Sequence, residues 1–405
     1  MPHAVRRLDL IVTEACNLAC PYCFGGAAPR LGSMSTDVAR RAVSWLLHSE
    51  ADRLHITFWG GEPLLRLPLL REVAALARRA AAEAGKALSL SLPTNATLLD
   101  DDALRWIEEA DVRVFLSIDG DAETQADRPL ATGGSSHALA RRGLELALRR
   151  RPGRAPVRIT MTPANVGRLA HNVAYFWDLG VREVLTYPAL DGEWPAEALA
   201  TCASEQRRLA DELVSRLERA DHPSAAPVLR AWMPALRRLL PGAEPRPPRG
   251  PLHDCGVGRE LVALGVEGRF SACHRFMFYE RARGAVRDLG DLDVGLRVDG
   301  LRAFRDVAVE ELLGEKGRCV DCDIFDLCSY GCLAINYATS GSLTRVPAVA
   351  CELQRGQVEA CRQVHERLGG DPRFASYLGR PLAASVRAMA DRLGRRAWRL
   401  YHRSQ

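Results

Sequence analysis

The chain has 405 residues, of which 47% are hydrophobic and 26% charged, and its formal net charge is +5. This composition indicates a globular protein large enough for two or three domains, and arginines that cluster only locally, as at 149–151, argue against a nucleic-acid-binding surface. Because no apolar run is long enough to span a membrane and residues 1–10 lack the features of a signal peptide, we expect a cytoplasmic protein with no membrane partner.

Short apolar runs alternate with longer helical stretches between residue 8 and about residue 188. Strands are predicted at 8–13, 54–58, 88–92, 112–118, 157–162 and 183–187. Helices between them are predicted at 36–48, 67–84, 100–109, 136–149 and 165–179. Parallel strands joined by right-handed helical crossovers curl into a barrel or an open part of one, so the fold is predicted to be α/β.

Three closely spaced cysteines follow the first predicted strand. Cys16, Cys20 and Cys23 form the pattern C-x3-C-x2-C. Three thiolates can hold three irons of a four-iron cluster and leave the fourth iron open, whereas ferredoxin sites supply four cysteines. A zinc knuckle is the alternative, but no fourth ligand lies nearby in the sequence. In a reducing cytoplasm such cysteines more often bind metal than form disulfides.

Polar motifs follow the next strands at the carboxyl ends, where barrel enzymes have their active sites. Glycines without a Cβ let the backbone approach a ligand, a following glutamate can accept from an ammonium group, and an arginine can pair bidentately with a carboxylate. Each motif alone is more typical of a turn or a helix cap, but their placement on successive strands favours one shared site. The candidates are Gly60, Gly61, Glu62, Pro63, Asn95, Ser117, Asp119 and Arg158.

A second set of seven cysteines begins far downstream. Their order is Cys255, Cys273, Cys319, Cys322, Cys328, Cys332 and Cys351, with Gly268 between the first two. Because thiolates suit zinc and iron alike, a pair of structural zinc sites is an alternative to iron–sulfur clusters for this half. Cys202 and Cys361 fall outside both patterns and are predicted to be buried as small apolar residues.

The segment A-C-N-L-A-C-P-Y-C-F at 15–24 resembles the signature of the radical S-adenosylmethionine (SAM) superfamily. The resemblance implies a partial (β/α)6 TIM-like barrel and a [4Fe-4S] cluster whose open iron is chelated by the methionine part of SAM. The run Gly60-Gly61-Glu62-Pro63 resembles the motif that binds the SAM amino group. By the same resemblance, the rest of the SAM pocket comprises Tyr22, Asn95, Ser117, Asp119 and Arg158.

The seven downstream cysteines, with Gly268, resemble the SPASM extension of radical SAM enzymes, which houses two auxiliary [4Fe-4S] clusters. This resemblance assigns Cys319, Cys322, Cys328 and Cys351 to one cluster. It leaves Cys255, Cys273 and Cys332 for the other, whose fourth site is open or filled by an unidentified ligand.

Four regions are predicted along the chain. A radical SAM barrel at 1–190 precedes a helical linker region at 191–250, a small cysteine-rich SPASM domain at 251–361 and a helical tail at 362–405. The helix at 194–220 and the Pro-, Gly- and Arg-rich stretch at 241–251 lie in or beside the linker region. The arginine-rich tail reads as an amphipathic helix that packs on the protein body.

The resemblance to the radical SAM superfamily implies that SAM is cleaved reductively to a 5′-deoxyadenosyl radical, which abstracts a hydrogen from an unactivated carbon. The preferred hypothesis is maturation of a ribosomally synthesised precursor peptide by a thioether or carbon–carbon crosslink, with net loss of two hydrogens. Its expected partners are the precursor peptide, a separate leader-binding protein and a reductant such as a flavodoxin or ferredoxin.

Other functions remain open. A sulfatase maturase, which forms formylglycine, typically has an aspartate after the cysteine equivalent to Cys273, whereas this chain has His274 there. His274 is a candidate proton carrier, but a structural histidine fits the sequence equally well. A radical epimerase or dehydrogenase is another alternative, and an iron–sulfur electron carrier or zinc-stabilised scaffold is the non-enzymatic one.

Overall fold

The computed structural model describes residues 3–26, 28, 30–220, 226–240, 242–243, 255–284, 287–329 and 331–379. A nine-stranded sheet forms the centre of this part of the chain. Its strands are β1 (Arg7–Thr13), β2 (Arg53–Gly60), β3 (Ala87–Thr94), β4 (Val112–Ser117), β5 (Val157–Met161), β6 (Glu183–Pro188), β7 (Val228–Leu229), β8 (Leu261–Leu264) and β9 (Phe270–Ser271).

Helices alternate with the first six strands and continue after them. They are α1 (Thr36–Leu47), α2 (Leu67–Glu83), α3 (Asp101–Glu109), α4 (His137–Arg150), α5 (Leu169–Asp178), α6 (Ala196–Arg219), α7 (Met233–Arg238), α8 (His274–Ala282), α9 (Arg302–Arg305), α10 (Leu333–Ser340), α11 (Ala348–Leu368) and α12 (Pro372–Gly379). Two small antiparallel hairpins pair β10 (Gly290–Asp291) with β11 (Gly295–Leu296) and β12 (Leu313–Gly314) with β13 (Gly317–Arg318).

The central sheet is an open, almost entirely parallel barrel segment. Strands β1 to β7 lie in chain order across it, and each neighbouring pair is parallel. On the other side of β1, β8 pairs in parallel and β9 continues antiparallel to β8. Because the outermost strands β7 and β9 do not pair with each other in the described residues, the sheet is not closed.

The predicted α/β fold is confirmed. All six predicted strands and the five helices between them are present, with ends that differ by a few residues. The largest difference is at the predicted helix 165–179, where a 3-10 turn, Val166–Arg168, precedes α5. Arg168 has a φ of −114°, outside the helical range, and this separates the turn from the helix.

The structure adds strands that the sequence pattern did not predict. The predicted six-stranded segment is extended by β7 on one side and by β8 and β9 on the other. Every residue of β8 is buried. This strand lies in the range predicted to be a separate cysteine-rich domain, so that range contributes to the same sheet as the barrel.

Local sequence signals set the lengths of the loops at the carboxyl ends of the strands. The Ser35 hydroxyl accepts from the Val38 N–H at 3.2 Å and begins α1, and Asp100 accepts from the Ala103 N–H at 2.8 Å and begins α3. Such side chains satisfy N–H groups that have no partner within the helix. The loops after β1 and β3, which contain predicted site residues, therefore end at defined caps.

The C-terminal half packs back on the barrel through α11, which lies along α6. A Cβ at Gly356 would be 2.4 Å from Gln206 Oε1 and 3.4 Å from the Cα of Ala203, so the two helices are in close contact here. Cys202 on α6 and Cys361 on α11 are completely buried among apolar side chains. Burial raises the pKa of both thiols, that of Cys202 to about 12. Both cysteines contribute to packing as small apolar residues.

Two of the predicted segments fall where the structure gives no description. The arginine-rich tail helix, with its apolar residues between 386 and 400, lies outside the described residues, and so does most of the stretch 241–251. Among the helices that are described, none has a stretch both long and apolar enough to cross a lipid bilayer.

Candidate active site and metal centres

The three N-terminal cysteines lie in the loop between β1 and α1. The Leu18 N–H donates to the Cys16 sulfur at 3.4 Å, and the Gly26 N–H donates to the Cys23 carbonyl oxygen at 2.8 Å. Burial raises the pKa of the Cys16 thiol and raises that of Cys20 to about 11. Both thiols are therefore protonated near neutral pH, and iron that binds to them must displace their protons.

Gly60 and Gly61, where β2 ends, lie against the end of β1 and the start of the cysteine loop that follows it. A Cβ at Gly60 would be 2.2 Å from the Thr13 carbonyl oxygen, and one at Gly61 would be 2.4 Å from the Ala15 carbonyl oxygen and 2.8 Å from the Cβ of Cys16. The Gly61 N–H also donates to the Thr13 carbonyl oxygen at 2.9 Å. Gly60 therefore packs against the last residue of β1 and Gly61 against the cysteine loop, and the role of these glycines toward a ligand stays a prediction.

We expect Gly61→Ala to lower the free energy of unfolding by about 1–3 kcal/mol, since the added methyl must displace backbone beside Cys16. The same displacement is expected to reduce the iron bound by the N-terminal loop. Gly192→Ala is the matched control, because a Cβ there meets no atom within 4 Å. Chemical denaturation and iron analysis measure the two effects, and equal values for both variants would contradict the packing role of Gly61.

Glu62 joins the ends of β2 and β3. Its carboxylate is completely buried and accepts from the Leu64 N–H at 3.0 Å, the Thr94 hydroxyl at 2.8 Å and the Asn95 N–H at 2.7 Å. Burial raises the pKa of Glu62, and these three hydrogen bonds oppose the rise. Glu62 also begins the 3-10 turn Pro63–Arg66, of which the predicted site residue Pro63 is the first member. Its role toward an ammonium group stays a prediction.

Asn95 connects the cysteine loop to the end of β3. Its side-chain N–H donates to Asn17 at 2.8 Å and approaches the Cys16 sulfur at 4.0 Å, while its oxygen accepts from the Thr97 hydroxyl at 2.7 Å. The next residue, Ala96, has a φ of 65°, in the left-handed region that favours glycine. This turn places the Asn95 side chain beside Cys16 in the cysteine loop.

Tyr22 and Asp119 form a buried cluster with an arginine that we did not predict. The Tyr22 hydroxyl donates to Asp119, and Arg128 donates to the Tyr22 oxygen at 3.1 Å and to Asp119 at 3.3 Å. Asp119 is completely buried and also accepts from the Thr160 N–H at 2.8 Å. Burial raises the pKa of Tyr22, which keeps the phenol protonated. The cluster ties the cysteine loop to the ends of β4 and β5.

Ser117 and Arg158 lie side by side, since they are paired in register across β4 and β5. The Arg158 guanidinium lies 4.7 Å from the centre of the Tyr187 ring. Burial, together with the positive charge of Arg275, lowers the pKa of Arg158 to about 10, so the group remains charged at neutral pH. Within the described residues no carboxylate lies at ion-pair distance from Arg158. A partly buried cation of this kind suits an anionic ligand.

His274, the first residue of α8, lies between the barrel and the C-terminal cysteines. Its Nδ1 is 2.7 Å from a carboxylate oxygen of Asp9, and its ring stacks on Trp59 with centroids 3.9 Å apart. The Phe24 ring lies 5.9 Å from it. Burial lowers the pKa of His274, although the Asp9 carboxylate opposes this shift. The histidine thus contacts the middle of β1 through Asp9 and the end of β2 through Trp59, and it directly follows Cys273.

The four cysteines assigned to one auxiliary cluster line a single cavity of about 230 Å³; they are Cys319, Cys322, Cys328 and Cys351. This space equals that of several water molecules at ~30 Å³ each, which is more than a zinc ion with sulfur ligands at about 2.3 Å requires. The donor set and the cavity fit an iron–sulfur cluster, and we call these residues the cysteine quartet.

The three remaining downstream cysteines also lie near one another. Burial raises the pKa of the Cys255 and Cys273 thiols, and both lie close enough to Cys332 and to the Asp9 carboxylate for these neighbours to contribute to the rise. Arg7 donates to the Cys255 carbonyl oxygen at 2.8 Å, which ties this group to β1. The three-cysteine group therefore lies beside the Asp9–His274 pair. Its fourth site, open or filled by another ligand, stays a prediction.

Several charged residues around the cysteine loop were not predicted from the sequence. Arg281 of α8 pairs with the buried carboxylate of Glu14 at 2.8 Å and so holds the start of the loop. Asp9 could have been recognised from the sequence, because a charged residue inside an apolar strand requires a partner. Nothing in the spacing of Arg128 or Arg281 distinguishes them from the many other arginines.

A parallel barrel segment with a three-cysteine loop after its first strand is the arrangement expected of a radical SAM protein. Residues 10–166 match the family model of the Radical SAM superfamily, so the chain carries a radical SAM domain. The match covers the three N-terminal cysteines and the polar motifs that follow the next strands.

The curated relatives differ in how much of the chain they match. An uncharacterized protein of Methanocaldococcus jannaschii is 28% identical over 186 residues, 45% of this chain and 63% of that protein. The mycofactocin maturase MftC of Mycobacterium ulcerans is 27% identical over 334 residues, 81% of this chain and 83% of MftC. The serine-type anaerobic sulfatase-maturating enzyme of Klebsiella aerogenes is 33% identical over 142 residues, 33% of this chain and 35% of the enzyme. The chain thus spans less than two thirds of the first and the third.

Solved structures share the fold over most of the chain. Native anSMEcpe with bound AdoMet has a TM-score of 0.71 at 20% identity, with 89% of this chain and 98% of its own covered. Streptococcus suis SuiB bound to the precursor peptide SuiA has a TM-score of 0.51 at 16% identity, with 85% of this chain and 76% of its own covered. These likenesses confirm the predicted architecture, a partial barrel with a C-terminal extension.

Proposed function

We propose that this radical SAM protein is a peptide maturase. It joins two residues of a ribosomally synthesised precursor peptide by a thioether or carbon–carbon crosslink, with net loss of two hydrogens. The similarity to MftC over most of both chains supports a maturase. SuiB, whose fold this chain shares, was solved with a precursor peptide, which supports a peptide as substrate.

The observation that carries the proposal is the contact between the two cysteine-bearing halves at the mouth of the barrel. Phe24 directly follows Cys23, and His274 directly follows Cys273. Their rings lie 5.9 Å apart, and His274 stacks on Trp59 at the end of β2. These rings therefore join the segment that contains Cys23 to the segment that contains Cys273. A net oxidation needs a route between the two cysteine groups for the electron that leaves the substrate.

In the proposed reaction the protein positions its reactants at the strand ends. When bound, the cluster and SAM supply a radical that removes a hydrogen atom from the substrate. Ser117 and Arg158 offer a hydroxyl and a guanidinium to the SAM ribose and carboxylate, and Glu62 accepts from its ammonium group. The rings of Phe24 and Trp59 exclude water from the side that faces the C-terminal cysteines.

Besides SAM, we include three iron–sulfur clusters in this proposal: a [4Fe-4S] cluster at Cys16, Cys20 and Cys23, and auxiliary [4Fe-4S] clusters at the cysteine quartet and the three-cysteine group. The partners that fit it are the precursor peptide, a separate leader-binding protein and a small reductant such as a flavodoxin or ferredoxin. The cytoplasm is the compartment proposed for such oxygen-sensitive groups.

The test is anaerobic turnover of the iron-loaded protein with SAM, a reductant and short peptides encoded beside its gene, analysed by tandem mass spectrometry. We expect a peptide lighter by two hydrogens, with fragmentation suppressed between the two joined residues. Formation of 5′-deoxyadenosine with every peptide unchanged would show SAM cleavage but contradict these peptides as substrates.

The same measurement separates the alternatives. A sulfatase-type maturase converts a cysteine or serine to formylglycine, which a hydrazine probe labels; His274, where those enzymes typically have an aspartate, argues against it. An epimerase incorporates one solvent deuterium without loss of hydrogen, and a dehydrogenase acting on a small molecule leaves all peptides intact. An electron carrier leaves SAM intact even when all cysteine groups are loaded with iron.

A further inference from the structure

The cavity of the cysteine quartet contains an arginine side chain that donates a hydrogen bond directly to a cysteine sulfur. One Nη of Arg355 donates to the Cys322 sulfur at 3.3 Å, and the other donates to the Asp323 carboxylate at 2.7 Å. Arg355 lies four residues after Cys351 on α11, and this spacing puts both side chains on the helix face that lines the cavity. The bond is therefore built into the site by the same helix that supplies a cysteine.

This contact differs from those of the neighbouring sulfurs. Cys319 and Cys351 receive hydrogen bonds from backbone N–H groups in the segment 314–315, which are neutral donors. Cys322 instead receives a charged donor, and charge-assisted hydrogen bonds are roughly twice as strong as neutral ones. Asp323 lies 3.5 Å from the same sulfur and would repel it once the thiol is ionised. Arg355 lies between these two negative groups and offsets their repulsion.

We propose that Arg355 raises the reduction potential of the auxiliary cluster at the cysteine quartet, and that Asp323 orients the guanidinium for this purpose. The inference rests on the auxiliary-cluster part of the proposed function. Cluster potentials depend on net charge, on hydrogen bonds to the sulfurs and on solvent exposure. A cation stabilises the reduced, more negative state, and because the Arg355 side chain is only 27% exposed, water screens it incompletely. The quartet cluster thereby becomes the better electron acceptor.

The experiment is a potentiometric titration monitored by EPR on full-length protein in which Cys16, Cys20 and Cys23 are alanine, so that only the downstream clusters give signals. In this background Arg355→Met is expected to lower the midpoint reduction potential of the cluster at the cysteine quartet. At a given potential the ratio of reduced to oxidised cluster should fall at least tenfold, which corresponds to about 59 mV for a one-electron couple. Arg355→Lys, which keeps the charge, should shift it less.

Arg318→Met is the matched control. Arg318 lines the same cavity and pairs with Asp321 at 3.0 Å, but within the described part of the chain it makes no hydrogen bond to a sulfur. We expect this variant to titrate like the parent protein. Equal midpoints for Arg355→Met and the parent, or equal shifts in both methionine variants, would overturn the inference.

Iron content and Mössbauer spectra distinguish failure of this inference from failure of the proposed function. A quartet that binds no cluster in the parent protein contradicts the auxiliary-cluster assignment itself. If the quartet binds a cluster but its reduction potential is the same with and without Arg355, only the proposed effect of Arg355 on that potential is contradicted. Arg355→Met could also bind less iron than the parent. In that case the same titration is made on Arg355→Lys and on Arg355→Gln, which keeps a neutral donor, and a lower midpoint potential in Arg355→Gln than in Arg355→Lys supports the inference, whereas equal midpoints contradict it.

Discussion

Replacing Cys16 with alanine is expected to abolish reductive cleavage of SAM, down to the background of iron-free protein. The N-terminal loop has only three cysteines, and the removal of one leaves two ligands for a cluster that already lacks a fourth protein ligand. Iron content should fall by about one third, because the downstream groups keep all their cysteines. Liquid chromatography of 5′-deoxyadenosine and methionine, with iron analysis on the same sample, measures both effects.

Cys361→Ala is the matched control for this variant. Cys361 is as buried as any core residue, but it lies on α11 outside both cysteine patterns. The truncated side chain is expected to cost some stability through a small cavity while SAM cleavage continues. Cleavage by Cys16→Ala at the rate of Cys361→Ala would contradict the assignment of the first metal centre.

Replacing Cys322 with alanine is expected to separate SAM cleavage from product formation. The N-terminal site is intact in this variant, so 5′-deoxyadenosine still forms. The electron from the substrate, however, loses its acceptor in the cysteine quartet, and the two-hydrogen loss from the peptide should fall to background. The ratio of 5′-deoxyadenosine to modified peptide, measured by mass spectrometry, should therefore rise steeply.

Two further variants locate the cause of this uncoupling. Cys328→Ala removes another ligand of the quartet and should uncouple SAM cleavage from product formation in the same way. The hydrogen bond from Arg355 is made to Cys322 and is therefore retained in this variant. Cys202→Ala removes a buried cysteine outside the quartet and should remain coupled. Complete coupling in Cys322→Ala would refute an electron-transfer role for this centre.

The barrel was predictable because its strands are apolar runs separated by helices of ordinary length. The strand β8 was not, since four apolar residues within a cysteine-rich segment carry no signal that they pair with β1. That pairing brings together residues distant in the sequence, such as Arg6 and Glu260, which are 254 positions apart and joined at 2.6 Å. Local patterns identify elements, whereas their long-range partners come only from the folded chain.

The candidate active site could be predicted from the sequence to a similar extent. The order of motifs after successive strands correctly placed Glu62, Asn95 and Ser117 at one end of the sheet, because carboxyl ends of parallel strands meet there. The side-chain contacts around the cysteine loop and the cysteine quartet were not predictable in this way. Arg128 reaches Tyr22 across 106 positions, and Arg355 reaches Asp323 across 32, with no spacing rule to connect either pair.

The position of β8 beside β1 also bears on how the protein is made. During synthesis β1 emerges first and pairs with β2 early, but its other edge stays unpaired until residues 261–264 have left the ribosome. Unpaired strand edges invite association with other chains, and closure of so long a loop is slow compared with local folding. We therefore expect the nascent N-terminal half to be prone to aggregation until β8 has been synthesised, and chaperones that shield the unpaired edge of β1 to raise the yield of folded protein.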